Sequence, residues 1–140
     1  MASRNAHARW MIIAVLSCLL ILFTLPHGFE DVTHGEPARF GVSQGVFAVG
    51  LALAYAAQGL ALYWLGLGRR IGLWAHLALG FGWGIAAIVA HVPEALAPGP
   101  YRSGVPSLAD LLGMIVIGLS LGAASASALR RRPVLSNDRD

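Results

Sequence analysis

The chain has 140 residues, 56% of them hydrophobic and 12% charged, with a formal charge of +3. A water-exposed domain of this size carries far more charge on its surface. The basic balance is not a nucleic-acid footprint either, because all ten basic residues are arginines and they sit at the ends of apolar blocks.

The first apolar block runs from Trp10 to Leu25, behind Arg4 and Arg9. It has the general look of a signal peptide, but no small-residue cleavage site follows it, and it reads as a retained first span over about 10-27. The lone Cys18 excludes an internal disulfide and CxxC redox chemistry, and reads as a small buried side chain. Next comes PHGFEDVTHGEP, from Pro26 to Pro37, a polar connection with two histidines and three carboxylates among its residues. If the helix runs on past Pro26, His27 shares a face with Glu30 at i+3 and Asp31 at i+4.

A second block covers 41-66 and contains Gln58. The tight connection GLGRR then makes the second and third spans antiparallel neighbours. The third block, 71-92, carries His76, Trp83 and His91, and PEALAPGPYRSGVP separates it from the last, 107-129. Crossing the hydrocarbon of a bilayer takes roughly 20 helical residues. The expected fold is therefore an all-α integral membrane protein: one domain over 1-140, a bundle of four transmembrane helices.

Arginines set the expected topology. Arg4 and Arg9, Arg69 and Arg70, and Arg130 to Arg132 alternate with poorer loops holding only Arg39 and Arg102. Excess arginine marks the cytoplasmic side, which places both termini in the cytoplasm and puts His27, His34, His91 and Glu94 on one outer face. Gly80 and Gly84 on the third span, and Gly118 and Gly122 on the fourth, have the four-residue spacing that lets helix backbones approach closely. Gln58 and His76 are ionisable or polar groups within apolar blocks, and form a candidate hydrogen-bonded pair or polar relay.

The functional expectation is a small structural or accessory subunit of a larger membrane complex, docking through small-residue helix faces and outer loops. Its partners would be the lipid bilayer and other membrane subunits, or further copies of itself, and its place a bacterial cytoplasmic (inner) membrane. No GxGxxG or Walker sequence is present, so the chain is not read as an enzyme by itself. Two alternatives come from other classes. One is a metal- or haem-binding membrane protein using His27, His34, His91 and Glu94, with a transition metal the better fit than haem. The other is a small oligomeric transporter that uses His76.

Overall fold

The computed structural model describes residues 2–130. Helix α1, Ala2–Thr33, continues through Pro26, which removes one backbone donor without ending the helix. His27, Glu30 and Asp31 are therefore helical, and α1 outruns the expected first span by roughly a turn and a half. Gly35 then turns the chain at φ 71, and the four-residue α2, Glu36–Arg39, follows with Pro37 in its first turn, where a missing N–H is harmless. Helix α3, Gln44–Gly66, is capped by Ser43, whose Oγ accepts from the backbone N–H of Val46. Gly68, at φ 71, closes the short turn into α4, Arg70–Ala95, and α5 covers Val105–Arg130. Arg131 and Arg132, part of the expected cytoplasmic flank, lie outside the described residues.

The buried positions follow a spacing of alternating threes and fours. On α1 the stripe is Ile13, Ser17, Leu20, Thr24, His27 and Asp31, and on α5 it is Ser107, Leu111, Met114, Gly118, Leu121 and Ser125, with Gly28 and Gly122 buried beside them. Such a stripe keeps one face of a helix turned to its neighbours over several turns. The most extensive contact is between α4 and α5, followed by α1 with α5 and α3 with α4. Gly80, Gly84, Gly118 and Gly122 lie at the α4–α5 contact, where a Cβ added at Gly80 would fall 2.5 Å from the backbone N of Gly122 and 2.7 Å from the carbonyl of Gly118.

Helix α3 is held differently along its length. Its buried residues, Gln58, Ala61 and Leu65, are all in its second half. The first half has no buried residue: Gln44 Nε2 donates to the Val32 carbonyl and Leu51 reaches Gly28 on α1, while Gly45 and Gly50 have nothing within 4 Å of where a Cβ would be. Cys18 is exposed, not buried as its setting in an apolar block suggests.

Four helices are long and apolar enough to cross a membrane by length and composition, and their outward faces expose Leu22, Leu53, Val89 and Val116. The arrangement nevertheless corrects the expectation of a simple four-helix membrane-spanning bundle. There are five helices among the described residues, and His27 and His91, expected on an outer aqueous face, are packed inside with Asp31 and Glu36. His27, Asp31 and His91 form a buried metal-type triad within an ion-paired polar core. This core overturns the expected identity as an integral inner-membrane subunit. It also removes the basis for the lipid bilayer and companion subunits as partners, since the loops meant to dock outward are turned inward. Hydropathy weighs residue types one by one, and does not report which way an ionisable group faces.

Candidate metal centre

Two helices bring the triad together. His27 and Asp31 sit one turn apart on the inward stripe of α1, and His91 is near the end of α4. All three are buried, with His27 1% exposed. Nε2 of His27 and Nε2 of His91 each lie 3.8 Å from Asp31 Oδ1, and the two imidazoles meet edge to face with centroids 4.6 Å apart. The ligand atoms of His27, Asp31 and His91 lie within 4.8 Å of one another. A second group, Glu36, His91 and Glu94, meets the same criterion and shares His91. Two imidazoles and a carboxylate are a donor set that suits zinc or ferrous iron, so this cluster is able to coordinate a transition-metal ion. Rings in edge contact leave no space for a macrocycle between them.

His27 is the telling member. Neither of its ring nitrogens has a hydrogen-bond partner, although both are buried. Buried polar atoms are almost always paired, and an orphan points to an absent ion or molecule. In Glu36 and Glu94, by contrast, the carboxylates are engaged by Arg39, whose Nη1 donates to Glu36 at 2.8 Å and to Glu94 at 3.3 Å. Arg102 engages Asp31 and His91 as well, but of the two groups only the first holds a ligand side chain, His27, with no partner at all, which makes it the better metal site.

Arg102 is the hub that sequence reasoning passed over. Its side chain is 1% exposed, and it comes from the α4–α5 connection, where its φ of 45 is in the left-handed region. Nη1 donates to Asp31 Oδ1 at 2.7 Å and Nη2 donates to His91 Nδ1 at 3.0 Å. Glu36 and Glu94 lie 3.5 Å and 3.8 Å from Nη2. Burial works against the guanidinium charge, but the hydrogen bond and charge of Asp31, with Tyr101 and Glu36 nearby, outweigh it and raise the Arg102 pKa. The Tyr101 ring lies under the guanidinium, 5.1 Å from centroid to Cζ, and burial pushes its phenol up to about 12. Ser103 of the same connection and Ser107 of α5 tie this end to α1, both donating to Glu30 Oε1.

The remaining sequence candidates are distributed elsewhere. His34 is exposed, with Nδ1 3.0 Å from the carbonyl of Glu30, and belongs to neither metal-type group. Gln58 and His76 meet through Ser17, toward the other end of the bundle. His76 Nδ1 donates to the Gly72 carbonyl at 2.7 Å, so Nε2 accepts from the Ser17 hydroxyl at 3.1 Å. Gln58 Nε2 donates to the Ser17 carbonyl and hydroxyl at 2.9 Å and 3.1 Å. Asp31 was already paired with His27 by its i+4 spacing; Arg102, in an irregular connection, had no periodicity to reveal it.

No family model, no curated protein and no solved structure matches this chain.

Proposed function

We propose that this protein binds a single transition-metal ion at His27, Asp31 and His91, with zinc and ferrous iron the ions its donors suit best. The observation that supports this most is His27: a fully buried imidazole with neither nitrogen paired, 3.8 Å from a carboxylate that also faces a second imidazole. Closed structural zinc sites use four protein ligands, whereas three leave a coordination position for a small molecule. A reactive or sensing centre fits this donor set better than a structural staple. Charge supports the same reading. Among the described residues, Glu30, Asp31, Glu36 and Glu94 are ion-paired with two arginines, Arg39 and Arg102, besides the imidazoles of His27 and His91; with both imidazoles neutral this leaves an excess of two negative charges that one divalent ion would balance.

The test is metal uptake by chelator-treated protein titrated with zinc and with cobalt(II). One equivalent is expected, with a cobalt spectrum of nitrogen and oxygen ligation. Loss of a group that merely supports a ligand costs about 10–100-fold in affinity. His27→Ala and Asp31→Asn, which remove ligands, should cost more. Uptake of no ion by the wild type, or equal uptake by His27→Ala, would overturn the reading.

A further inference from the structure

Beside the triad is a chamber of about 400 Å³, a volume within the range of small-molecule sites. It lies between the first half of α3, which has no buried residue, and helices α1 and α4. Phe47 and Leu51 line it from α3, Trp83 and Ala86 from α4, and Met114 from α5. The polar lining is gathered where His27, Asp31, Glu36 and His91 come together. Nothing in the metal reading requires this apolar space.

Three observations select its occupant. The walls are apolar and aromatic, with Trp83 held in place by stacking on Tyr55 at 6.0 Å, which suits a ring-sized hydrophobic body. The polar end carries net negative charge, because its carboxylates outnumber the two guanidiniums, and this repels carboxylate or phosphate ligands. Finally, His27 offers one N–H and one lone pair, both unpartnered and 1% exposed as a residue. A hydroxyl, which both donates and accepts, complements either nitrogen.

We propose that the chamber binds a small neutral phenol-like molecule, its ring between the Phe47 and Trp83 walls and its hydroxyl on His27. This goes beyond the metal reading and is tested on metal-free protein. 4-Ethylphenol and ethylbenzene have the same apolar body and differ in the hydroxyl. Calorimetric titration should show 4-ethylphenol binding once per chain, at least about tenfold more tightly than ethylbenzene, as a hydrogen bond to an otherwise orphaned group implies. His27→Phe should abolish the difference between the two compounds. Ala86→Phe, at an exposed position of α4, should weaken both while metal uptake stays unchanged. Transfer of magnetisation from the ethyl protons to the Leu51 and Met114 methyls places the ligand in wild-type protein without relying on any variant. Equal affinity for the two compounds, binding of neither, or magnetisation transfer to other residues would overturn the proposal. Phenol selectivity in a protein that takes up no metal would sink the metal reading and leave this one standing.

Discussion

Arg102 and the His91 tautomer are coupled by simple valence. A neutral imidazole has one lone pair, and Arg102 already occupies that of Nδ1, which puts the His91 proton on Nε2 facing Asp31. A metal ion on Nε2 needs the proton moved to Nδ1, and the guanidinium must then leave His91. Glu36 and Glu94 are within reach to receive it. Long-range ¹⁵N spectra should show His91 protonated at Nε2 without metal and at Nδ1 with it; an unchanged tautomer would disprove the exchange. Removing a buried charge partner costs about 3–5 kcal/mol. Arg102→Gln should therefore destabilise the metal-free protein by that order, read from its denaturant midpoint, yet bind zinc more tightly than wild type. Tyr101 permits a separate test. Its hydroxyl has no partner among the described residues, so Tyr101→Phe should change stability at neutral pH by less than about 1 kcal/mol. Its phenol is pushed up to about 12, above the ordinary value of about 10. A raised folded-state value means stability is fully present below about pH 10 and is lost as pH rises through the folded value. Tyr101→Phe should flatten that alkaline decline. Arg102, also raised, stays charged throughout and contributes no slope near neutrality.

At the scale of helices, glycines divide into two kinds by what surrounds them. Gly80 has Gly122 and Gly118 backbone inside the space of a Cβ, and neither can move aside without separating α4 from α5. Gly80→Ala should cost about 1–3 kcal/mol or more by overpacking. Gly50, exposed on the first half of α3, has nothing within 4 Å. Gly50→Ala should stabilise by roughly 0.5–1 kcal/mol, because alanine loses less backbone freedom in a helix. Thermal melts of the two variants read this contrast directly, and equal effects would mean that α3 packs along its whole length. The four apolar helices were legible as blocks, and the spacing of small residues on α4 and α5 was legible too. The ends were not. Pro26 and Pro93 lie within helices, because packing of the adjoining turns outweighs one lost backbone bond, whereas Pro106 is in the first turn of α5, where the missing N–H is harmless.

For the molecule as a whole, the polar core changes what holds it together. An ion that binds only the folded state adds stability that grows with its concentration. Zinc in excess should raise the unfolding midpoint of wild type but not of His27→Ala. Acidification should release the ion, because only neutral imidazole ligates. The same core removes the basis for an outward-docking accessory subunit: what looked like two outer loops is an α1 extension, a short α2 and the Arg102 connection folded over one end of the bundle. His27 and His91, singled out in the sequence for a metal, lie in one cluster, while His34 stays outside it.

Composition and apolar block length determined, from the sequence alone, that this chain is helical and how many long helices it has, since long apolar runs bounded by glycine, proline and arginine admit little else. The His27 to Asp31 spacing was equally a local matter, once the helix ran through Pro26. Only the tertiary structure decided that His91 and Arg102 join them and that the charges face inward. It alone also decided that a chamber lies between α3, α1 and α4 beside them. Those are consequences of contacts between residues far apart in the chain, where periodicity carries no information and the cost of leaving a buried charge unpaired sets the geometry.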